Sequence, residues 1–184
     1  MFRKLIVGLL AATMIGCAAV PESLMTDSDN PITDVMALSD PSGQDLGQAI
    51  RLGGVIAAID NGEQKTRLEI VAMPIGSDGK PKLGNSTQQR FVAYVDGFLE
   101  PIEYHPGRLI SVAGHVDGEE YGKVGEYNYR FPVVAASGTQ LWQVKQEVWI
   151  DDFDRYRSCI GLHCSPSLIN KGFSRAEVRE RVTK

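Results

Sequence analysis

The fold is decided by residues 49–60, which read AIRLGGVIAAID, and residues 66–74, which read TRLEIVAMP. Apolar and polar side chains alternate along the second segment, while the first is a short apolar run, and both patterns are typical of partly buried strands. Asn61-Gly62 lies between the two segments and is a strong signal for a tight turn. We therefore predict a β-hairpin here, with a bulge or bend at Gly53-Gly54 in its first strand.

Four further strands are predicted downstream, each bounded by glycine, proline or polar residues. They cover residues 90–96, 109–117, 126–136 and 139–150, with a turn region at residues 118–125. Gly114 favours a sharp bend within its strand, and Pro132 requires an edge position or a bulge. Six short strands with internal glycines predict a mostly β fold over residues 46–150. We interpret it as a small antiparallel OB-like β-barrel, with an open β-sandwich as the alternative.

Residues 17–45, which precede the β domain, are strongly acidic. Between Glu22 and Asp45 there are six acidic residues and no basic residue, together with two prolines. Such a composition favours an extended, solvated chain, so we predict an acidic tether. A short helix over residues 32–38 is compatible with the pattern.

The C-terminal tail, residues 151–184, contains a helix signal near its end. Ser174 is followed three residues later by Glu177, the spacing of a capping box. We predict a short polar helix over residues 174–184, packed on the domain through Val178 and Val182. Its excess of basic residues also permits an electrostatic contact with an envelope component.

The composition sets limits on the class of protein. The chain has 184 residues, of which 43% are hydrophobic and 23% charged, as in an ordinary globular domain with appendages. The formal net charge of −4 argues against a nucleic-acid-binding protein. Three cysteines are too few for a disulfide scaffold, and their odd number leaves one unpaired within the chain.

The N-terminus has the pattern of a secretory signal peptide. Arg3 and Lys4 precede an apolar run that is too short to span a bilayer. The run ends in Met14-Ile15-Gly16-Cys17, which resembles the lipobox of bacterial lipoproteins. This resemblance implies that residues 1–16 are a lipoprotein signal peptide and that Cys17 is the lipidation site. Ala18 stands where Asp usually marks inner-membrane retention, so the resemblance implies sorting to the outer membrane, with Ala18 as the sorting residue.

The other two cysteines, Cys159 and Cys164, enclose a short segment with Gly161 inside it. An oxidising periplasm favours a disulfide between them. Closing so small a loop would add about 2–3 kcal/mol to stability at most. Two alternatives remain open: free thiols, or metal or redox chemistry that involves the neighbouring His163.

Several motifs, in order after the lipobox, resemble the Slp family of starvation-inducible outer-membrane lipoproteins of gammaproteobacteria. They are Gly97-Phe98-Leu99-Glu100-Pro101, Gly107 to Gly114 with Arg108 and Val112, Tyr127-Asn128-Tyr129 with Pro132, and Leu141-Trp142. The resemblance covers residues 1–150. It implies an outer membrane lipoprotein, held to the membrane by its lipid anchor, with a small β domain facing the periplasm. It supplies no catalytic residues.

The sequence contains no catalytic constellation. The nucleophile-elbow, zincin, P-loop and EF-hand motifs are absent, and neither His105 nor His115 is paired with a nucleophile in a recognised motif. We therefore predict a non-enzymatic protein without metal or cofactor, whose β domain binds a protein or envelope partner. The alternative is a carrier of a small ligand or oligosaccharide at the barrel mouth. Tyr127, Tyr129 and Phe131 alternate on one face and are interpreted as core or as a wedge against a neighbouring element.

Overall fold

The computed structural model describes residues 19–84, 87, 89–151 and 175–184. Two single-turn 3₁₀ helices, Glu22–Leu24 and Val35–Ala37, come first. The strands are β1 (Ala49–Asn61), β2 (Lys65–Met73), β3 (Arg90–Asp96), β4 (Leu109–Val124), β5 (Tyr127–Asp151) and β6 (Arg175–Thr183). The prediction of a mostly β protein is confirmed. The chain divides into two compact units, one ending at Trp142 and one beginning at Gln143.

In the first unit, each of the five strands β1 to β5 has two hydrogen-bonded neighbours. β1 pairs antiparallel with β2 and β4, and β2 pairs antiparallel with β3. β5 pairs antiparallel with β4 and parallel with β3, where Val92 lies opposite Val133. The order of neighbours is therefore β1, β2, β3, β5, β4 and β1 again.

The last two predicted strands of this domain form one continuous strand, β5, and β4 runs through the predicted turn region. Gly118 has a φ of 95° and lies where the register of β4 against β5 shifts between Val116 and Glu119. At this point the chain bulges instead of turning. The reversal comes later, at Gly125, whose φ is 59°. Pro132 lies opposite Glu119 beside the same bulge, as its missing N–H requires.

The predicted bulge at Gly53-Gly54 is wrong, because the register of β1 is regular at both residues and shifts between Ile56 and Ala58. Close packing is what requires the two glycines. A Cβ on Gly54 would overlap the carbonyl oxygen of Val71 in the neighbouring strand. The bend predicted at Gly114 does coincide with a register shift, between Ala113 and Gly114.

The interior of the first unit is filled by large apolar side chains from all five strands. The cluster includes Ile50, Leu52, Ile56, Leu68, Ile70, Phe91, Ile110, Val112 and Val134, all nearly inaccessible to solvent. Val35 and Leu38, from the segment ahead of β1, belong to the same cluster. The N-terminal segment therefore completes the core.

This burial corrects the prediction of a solvated tether. Ile32 forms a parallel bridge with Ile50: its N–H donates to Ala49 O at 2.9 Å, and its carbonyl accepts from Arg51 N at 2.8 Å. Leu24 has 0% of its surface exposed. The segment is acidic overall, but its apolar residues Leu24, Val35 and Leu38 pack against the strands and are buried. The Val35–Ala37 helix, whose N-cap Asp34 accepts from Met36 N at 2.9 Å, lies within the stretch considered for a short helix.

The second unit is a two-stranded antiparallel ribbon, in which Gln143–Asp151 of β5 pairs with β6. The predicted C-terminal helix is therefore wrong, since Arg175–Thr183 is a strand. Valines lie opposite one another at two positions four residues apart, Val148 facing Val178 and Val144 facing Val182. These cross-strand apolar pairs stabilise a sheet, and they prevail over a capping signal worth about 1 kcal/mol.

Candidate functional site

The predicted site residues Cys17, Ala18, Cys159 and Cys164 lie outside the described residues, as does His163. Lipidation, sorting and the disulfide therefore stay predictions. Among the residues that the structure describes, no three His, Cys, Asp or Glu side chains are grouped so that they could hold a metal ion. Within that same part of the chain, no helix has the length and apolar character needed to cross a membrane.

The two described histidines make local contacts. His105 lies in the connection between β3 and β4, where its Nδ1 is 2.8 Å from the carbonyl oxygen of Pro106. His115 Nε2 lies 3.2 Å from both carboxylate oxygens of Asp27. This second contact joins the N-terminal segment to β4 at the protein surface.

A cluster of charged and aromatic side chains covers the outer face of β2 and β3. Leu68 and Ile70 point into the core, so Arg67 and Glu69, which alternate with them along β2, point outward. Arg67 lies opposite Tyr94 of β3, and Val71 lies opposite Arg90. The strand period thus brings four polar side chains together: Arg67, Glu69, Arg90 and Tyr94.

Glu120 of β4 is the centre of this cluster. Arg67 Nε donates to its Oε1 at 2.9 Å, and the Tyr94 hydroxyl donates to its Oε2 at 2.7 Å. Arg90 is paired with Glu69 in the same way. Both arginines of the cluster are therefore neutralised by carboxylates of the same face.

The pKa values of the cluster reflect this pairing. Burial raises the pKa of Tyr94, and the hydrogen bond to the charged Glu120 raises it further. Burial lowers the pKa of Arg67, but the hydrogen bond and charge of Glu120 outweigh that effect, so the net pKa is raised. The Tyr94 hydroxyl is thus held in its neutral, donating form.

We expect Glu120→Gln to lower the pKa of Tyr94 toward its ordinary value. Because the folded-state pKa of Tyr94 is raised, its contribution to stability is complete below its unfolded-state pKa. That contribution is lost as pH rises through the folded-state pKa. The variant should therefore show a smaller alkaline loss of stability than the parent, and that loss should be complete at a lower pH. An absorbance titration of tyrosinate, with denaturant unfolding across the same pH range, measures both effects.

The control for this titration is Tyr94→Phe, which removes the responding group. In that background Glu120→Gln should leave the remaining tyrosine titration unchanged. If the tyrosinate curve moved equally in both backgrounds, the assignment to Tyr94 would be wrong.

The β4–β5 hairpin carries aromatic residues of two kinds. Phe131 is buried, its ring lies 4.7 Å from that of Tyr129, and the Tyr129 hydroxyl accepts from Arg90 N at 2.9 Å. These two rings wedge the hairpin against β3, which confirms the interpretation of that part of the stripe. Tyr127 is instead 81% exposed at the hairpin end, and Tyr121 is 78% exposed on the opposite face.

The first described residues are fixed on a surface that we call the N-terminal seat, formed by Arg51, Gly79 and Gly138. The carbonyl oxygen of Leu24 accepts from Arg51 Nε at 2.8 Å. A Cβ on Gly79 would lie 3.1 Å from Leu24 Cδ1, and one on Gly138 would overlap the carbonyl oxygen of Ser23. Both glycines thus allow the segment to approach closely.

The seat is held in place by a buried hydrogen-bond chain. Trp142 Nε1 donates to Ser111 Oγ at 3.0 Å, and Ser111 Oγ donates to the carbonyl oxygen of Gly79 at 2.6 Å. This chain joins β5, β4 and the β2–β3 loop. Sequence reasoning missed it because no local pattern links Ser111 to Trp142 or to Gly79, which lies in a loop of mostly polar residues.

Comparison with known proteins finds a family match over most of the chain. The family described as "Outer membrane lipoprotein Slp family" matches residues 14–162. YeaY, an uncharacterized lipoprotein of Escherichia coli K12, is 35% identical over 150 residues, covering 79% of this chain and 77% of the relative. Outer membrane protein Slp of the same strain is 29% identical over 140 residues, covering 76% and 74%. No solved structure matches the chain significantly.

Proposed function

Because the chain belongs to the outer membrane lipoprotein Slp family, we propose that lipid on Cys17 holds it at the outer membrane and that its β domain binds an envelope protein. The domain faces the periplasm and has no catalytic activity of its own. Ala18, next to the modified cysteine, directs export to the outer membrane. Two or three acyl chains on one cysteine make membrane residence effectively permanent, whereas a single chain holds only marginally.

The β domain of this proposal is an OB-like barrel. Support comes from the order of neighbours, in which β3 and β5 pair in parallel and every strand from β1 to β5 has two partners. Glycines at Gly54 and Gly114 allow strands to approach closely and to shift register, as a tightly curved sheet requires. Barrels of this kind bind their ligands on the face of strands 2 and 3 and on the loops beside it.

The observation that carries the binding role is the exposure of Tyr127 at the end of the β4–β5 hairpin, with Tyr121 exposed on the opposite face. Tyrosine is enriched among the residues that dominate protein interfaces, because it buries a large rigid surface and keeps a polar handle. The interior around Phe91 is filled by side chains. That filling favours a surface partner over the alternative, a carrier of a small ligand or oligosaccharide at the barrel mouth.

The test is a photo-crosslinking amino acid placed at position 127 in living cells. We expect one discrete adduct with an envelope protein, stronger in the growth phase in which the partner is needed, such as starvation. The same amino acid at Glu63, an exposed position in the β1–β2 turn, should give none. Equal capture at both positions, or no adduct at 127 in any growth phase, would overturn the binding role.

The disulfide between Cys159 and Cys164 belongs to the same proposal. It follows from the oxidising compartment in which an outer membrane lipoprotein is presented. With Cys17 modified by lipid, the two remaining cysteines of the chain are left to pair with each other. The resulting small loop would lie in the segment between β5 and β6.

A further inference from the structure

The distance between the lipid attachment point and the folded domain is short. Pro21, which is buried, follows Cys17 by only four residues. Four residues of fully extended chain span at most about 14 Å. Had residues 17–45 been a flexible tether, its 29 residues would have spanned about 30 Å on average.

The segment that follows is fixed on the domain and cannot extend this reach. Leu24 is fully buried and packs over Gly79, while Ser23 lies directly against Gly138. The Ser23 hydroxyl also contacts Gln140 Oε1 at 3.4 Å. Releasing the segment would expose Leu24 and its neighbours in the core, at about 1.5–3 kcal/mol for each large apolar side chain.

We infer that the N-terminal seat and residues 74–84 of the β2–β3 loop beside it form the surface that faces the phospholipid headgroups, with the domain held directly against the bilayer. This inference rests on the proposed lipidation of Cys17. A domain of this size has a radius of gyration of about 14 Å, so a linker no longer than that cannot let it turn freely. The surface from which the chain emerges is the one that meets the membrane.

The β2–β3 loop is suited to a fixed position at this surface. Its backbone is closed by hydrogen bonds from Gly76 N to Lys80 O and from Lys82 N to Pro74 O, each 2.8 Å long. The buried chain from Trp142 holds Gly79 from beneath. Lys82 is exposed and presents a cation to lipid phosphate, and Met25 offers an exposed apolar side chain next to Leu24.

The tyrosine-bearing end of the hairpin is separated from the seat by part of β5. Tyr127 precedes Gly138 by eleven residues of the continuous strand β5. At about 3.3 Å for each residue, that is at most about 36 Å, because the register of β5 shifts between Ala136 and Gly138. The two positions 82 and 127 therefore report different heights above the bilayer.

The experiment measures those heights by energy transfer. The full lipidated protein, carrying a fluorescent amino acid at position 82 or 127, is reconstituted into vesicles with an acceptor dye on the lipid headgroups. We expect several-fold more transfer from 82 than from 127. Insertion of about 20 flexible residues between Ala18 and Ala19, enough to span about 25 Å, should remove the difference.

Vesicle flotation separates failure of the anchor from failure of the orientation. Protein that floats, and a Cys17→Ala variant that does not, establish the lipid attachment. If floating protein transferred energy equally from both positions, or if the difference survived the insertion, the membrane-facing surface would be wrong while the anchor stood. Protein that does not float at all would overturn the lipidation of Cys17, and this inference with it.

Discussion

Trp142→Ala is expected to lower the free energy of unfolding of the first unit by about 3–5 kcal/mol, as for other large aromatic residues removed from a core. Trp142 is 1% exposed, and its indole N–H supplies Ser111 with a donor. Its removal leaves a cavity and disturbs the hydrogen-bond chain to Gly79. Urea denaturation followed by circular dichroism measures the loss.

The chain provides a matched control, because Trp149 is its only other tryptophan. Trp149 is 59% exposed and stacks on Arg179, whose Cζ lies 5.7 Å from the ring centroid. An exposed cation–π contact contributes about 0.5–1 kcal/mol, so Trp149→Ala should cost no more than that. Similar losses in the two variants would contradict the role assigned to Trp142.

Gly54→Ala is expected to cost about 3 kcal/mol, the upper end of the range for overpacking. The added Cβ would overlap a backbone carbonyl oxygen of β2, at Val71, and would lie 2.7 Å from Ile70 Cγ2. Neither strand can yield without breaking its register with the other. The unfolding midpoint in urea measures the effect.

Gly122→Ala is the control for this substitution, since it also adds one methyl group inside a strand. Its Cβ would meet only the ring of Phe131, at 3.1 Å, and a ring edge can shift by a few tenths of an ångström. Alanine is also favoured over glycine within strands by about 0.5–1 kcal/mol. We therefore expect Gly122→Ala to change the free energy of unfolding by less than about 1 kcal/mol. If Gly54→Ala cost no more than this, the prediction would be wrong, because β1 and β2 would then tolerate the added methyl group.

Much of the fold could be predicted from local pattern. The first three strands are within a residue of their predicted ends, because Asn61-Gly62 and the strand period act over a few positions. The wedge of Tyr129 and Phe131 was also readable from alternation. What failed needed information from distant parts of the chain. Whether a glycine such as Gly118 makes a bulge or a turn depends on the strand opposite.

The N-terminal segment and β6 show the same limit. Leu24 and Val35 stand among acidic residues, and only the spaces beside Gly79 and Ile50 reveal that they are core. The stretch from Arg175 to Thr183 satisfies both a helix signal and a two-residue period, and its partner in β5 decides between them. The Glu120 cluster was missed because its members come from three strands.

The seated N-terminal segment has a consequence for biosynthesis. Ser23 is among the first residues of the domain to be made and exported, yet Gly138, against which it packs, is among the last. Contacts between residues so far apart in the chain give a high contact order, and the entropy of closing such a loop must be lost before they form. The domain therefore completes its fold only after β5 has crossed the inner membrane. The N-terminal residues are therefore the first of the domain to be exported and the last to pack in their final position.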